Sequence, residues 1–149
     1  IAQNMGAKKA ERVREGYRKS MVISAATGLA CTVILYVFAP QTVAWLLGEG
    51  SGLAFDNAVA YLRTVSFFYI LCYTGNTFVG YLDGIGKVSL PLIGACSHIS
   101  MRAALSWLWI GWMGLNAVAL ATGIGWIWCN FFWLMCCLYL SRKPKVVTP

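Results

Sequence analysis

Four long apolar stretches alternate with short polar segments along this chain of 149 residues. The stretches run from about residue 20 to 39, 58 to 82, 88 to 110 and 116 to 140. An α-helix rises about 1.5 Å per residue, so about 20 residues cross the roughly 30 Å hydrocarbon core of a bilayer. The pattern therefore predicts an all-α integral membrane protein with four transmembrane helices within residues 20–140. The short connections between the spans leave no room for a soluble domain.

The basic residues indicate how these spans are oriented. Ten of the twelve lie outside the apolar stretches, in the opening segment, one turn and the tail: Lys8, Lys9, Arg12, Arg14, Arg18, Lys19, Lys87, Arg142, Lys143 and Lys145. Lysine and arginine collect in cytoplasmic loops, so all three places are expected on the cytoplasmic side. We predict a cytoplasmic basic loop over 1–19 and a cytoplasmic basic tail over 141–149. The protein is then a multi-pass protein of the cytoplasmic membrane with both ends of this segment inside.

The composition argues against several classes of function. The chain is 59% hydrophobic and 11% charged, whereas a soluble domain has roughly 25% charged residues. The net charge of +7 comes from residues that flank apolar spans, so we expect no nucleic-acid partner. All six cysteines lie in the apolar stretches without a Cys-x-x-Cys pair, and His98 is the single histidine. Neither a zinc site nor a catalytic set is evident, and we expect no enzyme activity and no cofactor.

Two ionisable residues, His98 and Arg102, lie near the middle of the third apolar stretch. They are four residues apart and therefore share one face of a helix. A central arginine costs at least ~2.5 kcal/mol on insertion scales and normally faces a partner or a wet cavity. Arg102 is interpreted as a structural contact between helices, as a residue lining a cavity, or as a side chain that reaches towards the interface. His98 is interpreted as a hydrogen-bonded interior histidine or as a proton-sensitive switch.

A polar stripe follows the second apolar stretch. Its members recur at helical spacing: Ser66, Tyr69, Tyr73, Asn76 and Thr77. Lipid does not stabilise such a stripe, so it faces protein or a cavity. One interpretation is hydrogen bonding between helices, and the other is a cavity wall that contacts an organic cation through aromatic and amide groups. The candidate residues of a cavity or substrate pathway are Tyr69, Tyr73, Asn76, His98 and Arg102.

The start of the chain and its charge balance predict that it is a piece of a longer protein. The chain begins at Ile1 with a basic segment that no apolar stretch precedes. None of the acidic residues lies within a predicted span. The counter-charge of Arg102 would therefore come from backbone carbonyls, from water or from a further part of the protein.

Short motifs in order along nearly the whole chain are similar to those of one transporter family. The motifs are Gln3-Asn4-Met5-Gly6-Ala7-Lys8-Lys9, Tyr61-Leu62-Arg63, Gly80-Tyr81-Leu82-Asp83-Gly84-Ile85-Gly86-Lys87, Arg102, and Gly114-Leu115-Asn116-Ala117-Val118-Ala119. In these motifs the chain resembles the multidrug and toxic compound extrusion (MATE) family. It departs from the family at Lys8, where members usually have a small residue, and at Asp83, where they often have arginine.

The resemblance implies the last four helices of a twelve-helix transporter with two six-helix lobes. Such a transporter exchanges an inward flow of Na⁺ or H⁺ for outward movement of drugs or organic cations by alternating access. The implied partners are the N-terminal lobe and the first two helices of the C-terminal lobe of the same chain, the bilayer and a small organic cation. The family's coupling carboxylates usually lie on early helices, which are outside this sequence.

Two other functions stay open. The first is an exporter of related architecture for a lipid-linked glycan or oligosaccharide. It is disfavoured because only Arg102 lies deep enough in a span to meet a substrate phosphate. The second is a small four-helix membrane adaptor that assembles with copies of itself.

Overall fold

The computed structural model describes residues 1–142, and this part of the chain forms seven α-helices and no strand. The helices are α1 (Ala2–Gly6), α2 (Ala10–Val37), α3 (Ala39–Leu47), α4 (Leu53–Ser66), α5 (Tyr69–Gly84), α6 (Ser89–Met113) and α7 (Leu115–Arg142). The prediction of an all-α protein is confirmed. Most of the predicted basic tail, residues 143–149, lies outside the described residues.

Helix α7 is the element on which α4, α5 and α6 pack. Its most extensive contact is with α6. Ala117, Ala121 and Gly125 of α7 are buried at four-residue spacing. Small residues let helix backbones approach closely, which accounts for this contact. Helix α2 lies on the other side, along α4 and α5.

The second predicted span is interrupted in the structure. The sequence suggests one helix over 58–82, but α4 ends at Ser66 and α5 begins at Tyr69. The Phe68 amide donates to the Val65 carbonyl at 3.0 Å, a tighter turn than that of an α-helix. The Thr32 hydroxyl of α2 donates to the Ser66 carbonyl at 2.8 Å. A side chain that bonds into the backbone ladder is a known cause of helix interruption.

Two segments that the sequence suggests are loops are largely helical. The opening segment contains α1 and the first turns of α2, where Glu15 and Lys19 form an ion pair of 2.7 Å at four-residue spacing. The connection after Pro40 contains α3, with Pro40 in its first turn and Gly48 at its end in the left-handed conformation (φ 72°). Helix α2 ends at Val37, two residues before the predicted end of the first span.

Two helices in the described part of the chain are long and apolar enough to cross a membrane. They are α2 and the stretch Leu115–Ser141 of α7, judged by length and composition. Helices α4 and α5 have 14 and 16 residues, so each alone is about 21–24 Å long and shorter than a typical hydrocarbon core. The count of four spans stays a prediction.

Candidate functional site

Helices α5 and α6 lie side by side on α7 but make only slight contact with each other. Trp133 of α7 separates them, because its ring packs against Gly75 of α5 and Gly94 of α6. A Cβ atom on Gly75 would lie 3.2 Å from Trp133 Cζ3. The indole Nε1 also donates to the Leu90 carbonyl of α6 at 3.3 Å. The three helices therefore border a narrow gap between α5 and α6, which we call the seam, and Trp133 of α7 lies at the bottom of this gap.

An aromatic row crosses this seam from α5 to α6. The Tyr69 ring of α5 meets the Trp126 ring of α7 edge-on, with ring centroids 5.9 Å apart. On the other side, the His98 ring of α6 lies 6.3 Å from the Trp126 ring, centroid to centroid. The His98 ring fits against α7 because Gly125 carries no side chain there. Two of the predicted residues are thus brought together through a third residue, which the sequence analysis did not select. We call Tyr69, Trp126 and His98 the aromatic row.

The Nε2 atom of His98 is buried and has no hydrogen-bond partner within residues 1–142. The His98 side chain has a hydrogen bond with the Thr122 backbone, so the interpretation of a hydrogen-bonded interior histidine holds for the ring but does not extend to Nε2. A buried nitrogen without a hydrogen-bond partner lowers the stability of the folded state. Such an atom is therefore commonly associated with water, a ligand or a functional role. The aromatic row consequently includes one polar atom that is free to accept or donate a hydrogen bond.

Asn76 and Arg102 flank the aromatic row and are both exposed. Asn76 follows Tyr69 by seven residues on α5, and Arg102 follows His98 by one turn on α6, so each shares a face with its aromatic neighbour. The Asn76 amide donates to the Cys72 carbonyl of its own helix at 2.9 Å. Within the described part of the chain, Arg102 is in no salt bridge or hydrogen bond. The interpretation of Arg102 as a structural contact between helices stays a prediction.

The rest of the polar stripe contacts α2. The Tyr73 hydroxyl lies 3.3 Å from the Cys31 sulfur, and the Thr77 hydroxyl lies 2.7 Å from the Ser24 hydroxyl. Ser66 is fully buried, and its hydroxyl donates to the Arg63 carbonyl. The interpretation of hydrogen bonding between helices is confirmed for Thr77 and Tyr73. The stripe thus has two parts, one against α2 and one, with Tyr69 and Asn76, directed elsewhere.

Sequence reasoning missed the polar link between α5 and α7. The Asn130 amide donates to the Leu71 and Trp126 carbonyls, each at 2.8 Å, and accepts from the Thr74 hydroxyl at 3.1 Å. An asparagine in the middle of an apolar stretch was the available signal for this link. Trp126 carried no such signal, because it is an apolar side chain within an apolar stretch. No group of three or more potential metal ligands occurs among the described residues.

A comparison with protein families matches the chain to one family model. The MatE model aligns with residues 1–108. This range includes all five predicted site residues but ends before α7, which carries Trp126. No curated protein and no solved structure matches the chain.

Proposed function

Because the chain belongs to the MatE family, we propose that it is the C-terminal part of a cation-coupled antiporter. Members of this family are membrane-associated transporters and not enzymes. The proposed transporter exports drugs or other organic cations across the cytoplasmic membrane by alternating access, driven by Na⁺ or H⁺ and without a cofactor. The other parts of the transporter would be an N-terminal lobe and two further helices of the C-terminal lobe.

The observation that carries this proposal is the aromatic row with its exposed flanks. Aromatic faces attract cations through the ring quadrupole, with about 0.5–2 kcal/mol per contact. A planar organic cation is matched by Tyr69 and Trp126, and Asn76 adds an amide at the edge. The row lies at the seam of three helices, and substrate sites of helical membrane proteins are built between such helices.

Arg102 has a second role in the proposal. It is a permanent cation with no acidic partner in residues 1–142, and an arginine within a span normally faces a partner or a water-filled cavity. We propose that a carboxylate on a helix outside this sequence is its partner. A substrate cation that approaches the same carboxylate would compete with Arg102, which couples binding to the arrangement of the helices.

Trp126→Leu in the full-length transporter is the variant that tests the site. We expect a KM for an aromatic cation about ten-fold higher, because an aromatic contact is lost. Transport would be measured in proteoliposomes with an imposed Na⁺ or H⁺ gradient. The matched control is Trp107→Leu, since Trp107 is 79% exposed on α6 and makes no described contact with the row. Asn76→Ala and Arg102→Ala should also impair export while expression is intact.

The same experiment separates the alternatives. Unchanged export of aromatic cations in Trp126→Leu, Asn76→Ala and Arg102→Ala would contradict the proposed site. Gradient-independent export, or transport of a lipid-linked oligosaccharide in place of a cation, would favour the related glycan exporter. A chain that assembles with copies of itself and transports neither would be the four-helix adaptor.

A further inference from the structure

The cytoplasmic end of α2 combines exposed charge and exposed apolar surface on one side of the helix. Arg14, Arg18, Lys19, Val22 and Ile23 line a shallow surface depression there, together with Glu11 and Glu15. Val22 and Ile23 are 68% and 65% exposed. The opposite side of α2 is packed, because Tyr17 contacts the Tyr81 ring of α5 with centroids 4.8 Å apart. The depression therefore faces away from the helix bundle.

The charge of this surface is positive. The depression is lined by three basic and two acidic residues, a net charge of +1, and it lies within the segment 8–19, whose net charge is +4. Glu15 pairs with Lys19 at 2.7 Å, and this is the one salt bridge within residues 1–142. Arg14 and Arg18 thus have no carboxylate partner in that range. They are four residues apart, so their guanidinium groups lie next to one another on the helix surface.

Along α2, the exposed apolar side chains begin one turn after the last basic residues. Val22 follows Arg18 by four residues, which is about 6 Å along a helix. Leu29 and Val33 continue the same side, at 57% and 53% exposure. A phosphate group at Arg14 and Arg18 would therefore be followed by acyl chains along Val22, Leu29 and Val33. This order, anionic headgroup and then hydrocarbon, is that of a phospholipid.

We propose that this side of α2 binds an anionic phospholipid of the cytoplasmic leaflet. The two guanidinium groups hold the phosphate, for which arginine has a suitable donor geometry. The exposed aliphatic side chains of α2 hold one acyl chain. Clusters of basic residues just cytoplasmic of a transmembrane helix recognise anionic lipids for the same electrostatic reason.

Native mass spectrometry of the full-length protein, titrated with phosphatidylglycerol or phosphatidylcholine, tests this site. We expect the Kd for phosphatidylglycerol to rise about ten-fold or more in R14Q/R18Q, which removes both guanidinium groups. The matched control is K8Q/K9Q, which removes the same charge at two exposed positions before α2 and should change the Kd by less than about three-fold. Short-chain phosphatidylglycerol should bind more weakly than the long-chain lipid.

Four results would overturn the proposal. They are equal binding of phosphatidylglycerol and phosphatidylcholine by the wild-type protein, an unchanged Kd in R14Q/R18Q, equal losses in the two double variants, and full displacement of the lipid by free glycerol phosphate. Equal losses would mean a diffuse charge effect, and displacement would mean a soluble anion site. The wild-type comparison of the two lipids decides the question even if R14Q/R18Q does not fold.

Discussion

At the scale of single residues, the described interior is held by a few polar groups that bond to backbone carbonyls. Asn130 is the most connected of them, because its amide group makes two hydrogen bonds to α5 and a third to the Trp126 carbonyl of its own helix. Hydrogen bonds between helices in membrane proteins contribute about 0.6 kcal/mol on average and up to about 2 kcal/mol. One side chain with two hydrogen bonds across the α5–α7 contact therefore stabilises it by more than a single typical pair does.

Asn130→Leu should lower the free energy of unfolding by about 1–2 kcal/mol, because it leaves the Thr74 hydroxyl and the Leu71 carbonyl without this partner. SDS titration of the full-length protein in mixed micelles measures the change. Asn76→Leu is the control, since Asn76 is exposed and bonds to its own helix; it should change the value by less than about 0.5 kcal/mol. Equal effects of the two substitutions would contradict the role given to Asn130.

The candidate site shows how far residue-level reasoning reaches without a structure. Hydropathy and spacing selected Tyr69, Asn76, His98 and Arg102. Placing a polar side chain in the membrane has a free-energy cost, so such residues are conspicuous in an apolar stretch whichever way they point. The same reasoning could not show that Tyr73 differs from the other candidates in contacting Cys31 on α2. Helical spacing indicates which residues share a face but not which residues of another helix lie opposite that face. It also could not find Trp126, because an apolar side chain in an apolar stretch carries no such signal.

At the scale of helices, glycine sets the distance between α2 and α5. A Cβ atom on Gly28 would lie 2.7 Å from the Ile70 Cα and 3.3 Å from the Ile70 nitrogen. Both are backbone atoms, so no side-chain rotation can relieve the contact. The approach occurs beside the break between α4 and α5, where Thr32 donates to the Ser66 carbonyl. Helix α2 is therefore close enough to bond with the interrupted backbone only because residue 28 has no side chain.

Gly28→Ala should destabilise the full-length protein by about 1–3 kcal/mol, because α2 and α5 must move apart. Gly80→Ala is the matched change on α5, where no atom lies within 4 Å of the added Cβ. Alanine is the better helix former, so this second substitution should stabilise by up to about 1 kcal/mol. The opposite signs would appear in the same SDS titration. Destabilisation by both substitutions would show that general helix effects, and not the α2–α5 approach, decide the result.

The break at Phe67–Phe68 was beyond prediction for a related reason. Hydropathy predicted one uninterrupted helix over 58–82 because it depends only on the side chains within that stretch. The interruption depends on a hydroxyl from a different helix, Thr32, and on the space that Gly28 leaves. The helical opening segment was not predicted although its own residues carry the signal. Its charge suggested a loop, whereas its alanine, glutamate and arginine residues favour helix.

At the scale of the whole described chain, the basic residues of the opening segment and of the α5–α6 turn lie at one end of the bundle. A Cβ atom on Gly84 would lie 2.6 Å from Ile1 Cγ2, so the start of the chain covers the end of α5. The Tyr17 and Tyr81 rings contact each other nearby at a tilted angle, and Lys87 follows in the turn after α5. The structure thus brings together two of the three groups of positive charge from which the cytoplasmic orientation was predicted.

Two serine positions at opposite ends of the chain's helices can test this orientation. Ser51 lies in the exposed connection between α3 and α4, and Ser89 lies exposed at the start of α6, two residues after Lys87. Ser51→Cys and Ser89→Cys would be introduced singly into full-length protein whose native cysteines are replaced. We expect a membrane-impermeant maleimide to label Ser51→Cys in intact cells and Ser89→Cys only after permeabilisation. Labelling of Ser89→Cys in intact cells would place the basic end outside. In that case α2 could not present Arg14 and Arg18 to the cytoplasmic leaflet, and the proposed direction of export would have no basis in the charge pattern.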